Sequence, residues 1–486
     1  MKAETIISKT IVMGELVLDA PLLVGAGAGG SDEQDIHIVR DSEGKPFLPG
    51  TSLAGALRAF MKDENPLMAD LLFGTEGTGS SKGGLPALQS SLSISDIRLE
   101  GRTVIRDGVA IDVITHTATD QAKYNYEAID SSSRGLFSML ITLRGIHEDY
   151  RNSVEKNIKR LIKYLMSGIS VGAHTAKGLG RIHVERMTED TYDFRKPEDV
   201  LAWLSVPGKE VFANGHAPAP GHRVLQGTPG TVFDKKDFVI VADFSLRNSL
   251  IVRDYDKKAC ADAEKTWKPK NDEKGSINAV MKKNSAGDPI LPGTSLKGVM
   301  RQRAYHILRV LEKPEIMAEQ LMGLSPETMR ANAKENRFKK FKSPFFVEEA
   351  RFTNVHDYPQ ARNRIDRFTS GVISTSLFTT LPIWHGDSNA SSVRLTFGVH
   401  HPEKWQIGLT LLLLKDLWLG RVAIGGEKSI GRGTLAGLSA SIHYEDKDYT
   451  IRDGQPLRLE TAAALQEYVD ALLLEDGTAA AKEVFA

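Results

Sequence analysis

Two short stretches of this chain carry residue types that suit contact with phosphate, and each occurs twice. Residues 48–58 read LPGTSLAGALR and residues 291–301 read LPGTSLKGVMR, identical at eight of eleven positions. A helix entered through Pro-Gly, with Thr51 or Ser52 (Thr294 or Ser295 in the second copy) at its N-cap, presents backbone N–H groups at the positive end of its dipole, where phosphate binds. Arg58, Lys297 and Arg301 follow on the same stretches. The plain alternative is a capped helix with no ligand. The second pair is VGAHTAKGLGR at 171–181 and IGGEKSIGRGT at 424–434, both spaced G-x5-G-x-G through Gly172, Gly178, Gly180 and Gly425, Gly431, Gly433. Glycine admits the close approach of another backbone, a sugar–phosphate one included. His174, Lys177, Arg181, Lys428 and Arg432 stand beside these glycines. The alternative is a glycine-rich turn between helix and strand. Recurrence of both stretches, in one order, points to a duplicated domain and to a polymer ligand crossing both copies.

The elements that must position these residues read the same way in each copy. Alternating β-branched residues predict opening strands over 11–25 and 237–252, and LPGTSL then starts a helix with Leu53, Leu57 and Phe60, or Leu296, Met300 and Tyr305, on one face. LLFG at 71–74 and QLMG at 320–323 are a third echo, followed by strands over 90–99 and 343–352 and again at 137–145 and 393–399. Amphipathic helices are predicted at 153–167 and 405–419, each leading into its glycine loop and a last strand. The order β-α-β-β-α-β, with an embellished middle, is that of a ferredoxin-like α+β domain. Residues 188–236 are rich in Pro and Gly and predict a linker between a first domain at 1–187 and a second at 237–445. The tail, 446–486, holds one helix expected to dock on a neighbour.

Composition narrows the function. The 486 residues, 41% hydrophobic and 26% charged, suit a globular protein with a sizeable core. With 62 basic and 62 acidic side chains the net charge is zero, which excludes a generally cationic nucleic-acid coat but allows a basic groove with acidic faces elsewhere. One cysteine, Cys260, excludes an intrachain disulfide and a cysteine zinc cluster. No apolar leader or membrane-length run is present, so a soluble, cytoplasmic protein is expected. GAGAGG at 25–30 fits a dinucleotide fingerprint, yet an acidic loop and no helix follows it.

LPGTSLxGxxR, the LFG-type turn after the helix and the C-terminal glycine loop together resemble the RAMP superfamily, the ferredoxin-like RNA-binding subunits of CRISPR ribonucleoproteins. The chain resembles a tandem fusion of two backbone subunits of a type III effector, as in variant type III-D complexes. The resemblance implies guide RNA, complementary target RNA, further RAMP-type subunits and a large effector subunit as partners, and a role in antiviral defence. It also implies an endoribonuclease in which an aspartate before the LPG motif cuts target RNA, with a divalent metal ion such as Mg2+ and no organic cofactor. DIHIVRDSEGKPFLPGTS matches the family's spacing, which puts Asp35 in the catalytic place and Asp41 second, with His37 and Arg40 available to orient or screen a phosphate. RNA carries its own nucleophile, the 2′-OH, so the protein needs mainly to hold one phosphodiester in line and move protons. The alternative for Asp35 is a solvated loop carboxylate, and the protein would then be a non-catalytic guide-RNA-binding scaffold. In the second copy the same count back from LPG lands on Asn278, and Asp254 and Asp256 are the candidates to substitute. Segments 116–135 and 362–378, both polar with few apolar anchors, fall where the family extends a thumb hairpin into the guide–target duplex. RFKKFK at 337–342 interleaves phenylalanines with basic residues, as RNA contact by charge and stacking would require.

Overall fold

The computed structural model describes residues 4–26, 35–75, 88–112, 118–205, 221–225, 235–267, 276–325, 328, 342–374, 376–387 and 390–477. The chain forms two compact units: Met1–Gly108 with Tyr124–Thr175 and Leu179–Val232, and Val109–Lys123 with Ala176–Gly178 and Phe233–Ala486.

The first unit is built on strand Ile6–Leu18, which lies between Arg134–Arg144 and Arg181–Asp193, with Leu92–Ile94 beyond the former and Arg223–Val224 beyond the latter. All these pairings are antiparallel. The last long strand therefore sits beside the first. Helices Gly50–Glu64 and Arg151–Ser167 complete the layer against which the sheet packs. Helical spacing explains both: Leu53, Leu57 and Met61 are buried on one, and Val154, Ile158, Leu161, Ile162 and Leu165 on the other, in one core with Val12, Leu16 and Phe137 of the sheet.

The second unit repeats the order. Phe238–Leu246 lies between Val393–Val399 and Leu435–Tyr444, with Phe345–Val347 and Lys447–Arg452 at the edges. Helices Gly293–Val310 and Lys404–Trp418 carry its core. The run LTLLLL inside the latter is buried nearly all round because helix Leu459–Leu474 lies on it. A Cβ on Gly408 would stand 2.2 Å from the Tyr468 carbonyl oxygen, so that crossing admits only glycine. The tail helix expected to reach a neighbour thus docks on its own unit, with Leu465, Tyr468 and Leu472 buried.

Two further expectations change. Part of the stretch read as linker is ordered structure: the closing strand runs on to Asp193, and helix Pro197–Ser205 follows, its Trp203 packed on Tyr192. Segment 362–378 is not polar at its surface, since Ile365, Phe368, Val372 and Leu377 are all exposed, Phe368 by 97%. Phe338 and Phe341 of the RFKKFK run, and most of GAGAGG, lie outside the described residues.

Candidate nucleic-acid interface

The segment holding Asp35 lies along strand Ala118–Ile129, with Ile36 bridged in parallel to Tyr126. Asp35 donates its backbone N–H to Asn125 Oδ1 (3.0 Å), and its Oδ2 accepts from the Asn125 N–H (2.8 Å). This two-way clasp fixes an exposed carboxylate. The second copy keeps the geometry without the charge: Asn278 Oδ1 accepts from the Thr379 N–H at 2.8 Å, on a strand that again pairs in parallel. The spacing from LPG therefore finds equivalent positions, and the structural bond made there needs only an oxygen.

The neighbours are committed. Arg40 pairs with Glu127 and donates to the Gly44 carbonyl (2.9 Å), which leaves it little charge to offer Asp35. His37 is half-buried between them in sequence. Asp41 Oδ1 accepts from the Lys45 and Glu43 N–H groups (2.9 Å each), its Oδ2 forms an ion pair with Arg98 (2.9 Å), and the Lys45 bond leads in holding its carboxyl below the usual range. It is a turn-forming residue. Asp254 accepts from Lys282 (3.0 Å), and Asp256 Oδ1 accepts from the Ala259 N–H (2.8 Å) as the N-cap of helix Lys257–Trp267. Both aspartates thus have local structural work, and neither occupies the position equivalent to Asp35.

The LPGTSL helices begin two or three residues earlier than expected. Pro49 and Pro292 are the N-caps, and Thr51, Ser52, Thr294 and Ser295 lie inside the first turn without capping bonds. In the first copy Asp96 Oδ1 accepts from the Gly50 N–H (2.8 Å), so a carboxylate of this chain already sits at the positive end of the dipole. Gly50 is needed because a Cβ there would stand 2.0 Å from the Ile94 carbonyl oxygen.

The basic residues of that motif turn inward. Arg58 pairs with Asp70 (3.1 Å), and Arg301 donates to the carbonyls of Gly323 (2.8 Å) and Met322 (2.5 Å) at the end of helix Ile316–Met322, beside Glu319. Each arginine ties the LPGTSL helix to the short helix after it. Lys297 is 4% exposed, and its ammonium donates to Ser343 Oγ (2.8 Å) and the Phe345 carbonyl (2.7 Å). Burial lowers its pKa well below the usual lysine value.

The glycine loops match in detail. Gly178, Gly180, Gly431 and Gly433 all have φ between 77° and 84°. A Cβ on Gly180 would meet the Val171 carbonyl oxygen at 1.9 Å, and one on Gly433 would meet that of Ile424 at the same 1.9 Å. These two glycines close the loop on itself. Gly431 differs, since nothing lies within 4 Å of where its Cβ would be. Lys177 is half-buried, with its pKa lowered by burial, and Lys428 is exposed. His174 has φ 59° and meets Tyr126 edge-on at 5.5 Å; Arg181 is half-buried at the start of the closing strand. Arg432 is 2% exposed and paired with Glu427 (3.1 Å). Sequence reasoning missed Asp96, Asn125 and Glu427, whose parts follow from contacts distant along the chain, those of Glu427 being with Arg253 and Arg362.

Among the described residues no three His, Cys, Asp or Glu side chains are grouped to hold a metal ion, and no helix is long and apolar enough to cross a membrane. A search of curated protein sequences returns no match. Residues 15–183 and 273–436, together more than half of the chain, match the family described as the RAMP superfamily. Among solved structures, a chain from the cryo-EM structure of the Type III-B Cmr-beta bound to cognate target RNA aligns at 10% identity and a TM-score of 0.29. The alignment spans 36% of this chain and 96% of that one.

Proposed function

This chain belongs to the RAMP superfamily, and from that premise we propose that it is a tandem backbone subunit of a type III CRISPR ribonucleoprotein. Its two ferredoxin-like domains hold guide RNA, and Asp35 of the first takes part in cutting complementary target RNA. The observation that carries the reading is the clasp on Asn125, which presents one exposed, oriented carboxylate where the second unit has the amide of Asn278. Asp35 would accept or relay the proton released as the 2′-OH attacks, and the clasp holds it for that purpose. A divalent ion such as Mg2+ fits a donor set of one carboxylate, because Mg2+ is commonly held by one or two carboxylates plus substrate phosphates. When bound by Asp35 and RNA it would supply neutralisation of charge at the phosphodiester.

Segment 362–378 is the proposed thumb of the second unit. Its turn is held by Asp366, whose Oδ1 accepts from the Phe368 (2.9 Å) and Thr369 (2.8 Å) N–H groups, and Phe368 projects from that turn. An aromatic ring on a braced tip suits stacking on a base, worth about 1–3 kcal/mol. Phe368→Ala should weaken retention of target RNA by the assembled complex about tenfold, read by filter binding; unchanged retention would remove the thumb role.

Asp35→Asn is the decisive variant. Asn278 shows that an amide keeps the backbone bond, so the change removes charge and spares the fold. In the assembled guide complex, with labelled complementary RNA and Mg2+, we expect one mapped cut to disappear while RNA stays bound. A retained cut would favour the second reading, a scaffold that binds guide RNA without cutting. The same observation supports that reading, because the clasp itself requires no carboxylate.

A further inference from the structure

The second unit concentrates positive charge around the position where it lacks the carboxylate. Four short strands lie in the order Arg253–Asp254, Ile277–Met281, Phe378–Leu381 and Gln360–Arg362. Asn278 belongs to an inner strand, and Arg253 and Arg362 to the two outer ones. Both arginines reach Glu427, whose side chain is 5% exposed, and the buried Arg432 reaches it too. Among the described residues one carboxylate thus serves three guanidiniums, an excess of two positive charges.

That excess is partly met by neutral acceptors: Arg253 donates to the Tyr255 hydroxyl (3.2 Å), Arg362 to Thr380 Oγ1 (3.4 Å) and Arg432 to Gln360 Oε1. The Arg362 Nε is buried and has no acceptor among the described residues, and Arg432 Nη1 lies 3.1 Å from Glu427 Oε2 without hydrogen-bonding geometry. Burial and, beyond it, the neighbouring Arg362 and Arg253 push the Arg432 pKa down from the usual arginine value, although Glu427 opposes them. Arg253 is the open side of the cluster at 41% exposure, and Arg362 is 19% exposed. The arrangement is peculiar to this copy. Gly25 bridges Ile38 as Arg253 pairs with Met281, and the loop positions of Glu427 and Arg432 are His174 and Leu179 in the first unit.

We infer that Arg253 and Arg362, backed by Arg432 and poised by Glu427, form a seat for a phosphate group beside Asn278. Guanidinium forks match phosphate oxygens in pairs, and a low-dielectric backing strengthens the attraction. The second unit then holds a phosphate where Asn278 stands in place of the Asp35 carboxylate. The seat takes its phosphate either from an RNA backbone, which rests on the function proposed above, or from free phosphate.

The test uses the full chain. Inorganic phosphate is titrated at constant ionic strength by calorimetry against wild type, Arg253→Gln, Arg362→Gln and, as a control, Arg394→Gln, which removes an exposed pair with Asp243. Circular dichroism melts show which variants are folded. Phosphate should bind wild type and the control alike, and about tenfold more weakly to folded Arg253→Gln or Arg362→Gln, the loss expected for one charge-assisted contact. Equal affinity in all four, or no binding to wild type, overturns the seat. A second arm measures single-stranded RNA affinity against salt. A slope smaller by about 0.7 in Arg253→Gln assigns the seat to an RNA phosphate. An unchanged slope with weakened phosphate binding assigns it to free phosphate. If wild type binds phosphate but no RNA, the proposed function fails and the seat stands.

Discussion

At the scale of single residues, this chain separates side chains that carry charge to a surface from those that spend it inside. Arg301 is of the second kind. Its two bonds to the carbonyls ending helix Ile316–Met322 lead us to expect Arg301→Ala to cost about 1–3 kcal/mol in urea unfolding. The salt dependence of RNA binding should be unchanged, and a smaller slope would restore the arginine as a phosphate contact. The sequence made the opposite suggestion for a physical reason. LPGTSLxGxxR announces a helix start and a basic residue, and both signals are the same whether the partner is an RNA phosphate or a carbonyl 21 or 22 residues away. Gly50 repeats the lesson, because a demand for space does not reveal whether a ligand or Ile94 fills it. What spacing did make legible was Asp35 and Asn278 as counterparts, since the same backbone bond recurs at both. The clasp residue itself was hidden, as Asn125 lies 90 positions from Asp35.

At the scale of elements, strand and helix order was readable because burial imposes periods of about two and 3.6 on the hydrophobic residues. The reading failed where short polar segments are ordered by side-chain bonds. The turn after strand Arg181–Asp193 is such a case: Asp193 accepts from Arg195 Nε and Nη2 (2.8 Å each), and its N–H donates to Asp199 Oδ2 (2.8 Å) in helix Pro197–Ser205. The Arg195 hydrogen bonds are the leading cause that holds the Asp193 carboxyl down to about 2. A carboxyl depressed in the folded state stabilises fully above its ordinary value of 3.8 and loses that contribution as pH falls toward about 2. Asp193→Asn should therefore be less stable than wild type at pH 5, with the gap narrowing as pH falls below 3.8. A gap independent of pH in urea titrations would assign the turn's order to the backbone bonds alone.

At the scale of the whole molecule, duplication preserved a frame and let its contents diverge. Each unit has its own core, the same strand order and the same loop closed by a glycine whose added Cβ would stand 1.9 Å from a carbonyl oxygen. Only the second is completed by helix Leu459–Leu474, whose buried face covers Lys404–Trp418. Ending the chain before Leu459 should lower the melting temperature of the second unit and expose apolar surface to a dye such as ANS, while the first unit melts as before. An unaltered second transition would show the helix to be dispensable.

That cover also sets an order of events during synthesis. Helix Lys404–Trp418 leaves the ribosome some forty residues ahead of the segment that shields its leucines. At ordinary translation speeds of about 5–20 residues per second, it waits on the order of seconds with an apolar flank in water. The interval falls when the first unit already has every strand of its sheet, so a nascent chain would carry one finished half and one half open to chaperones.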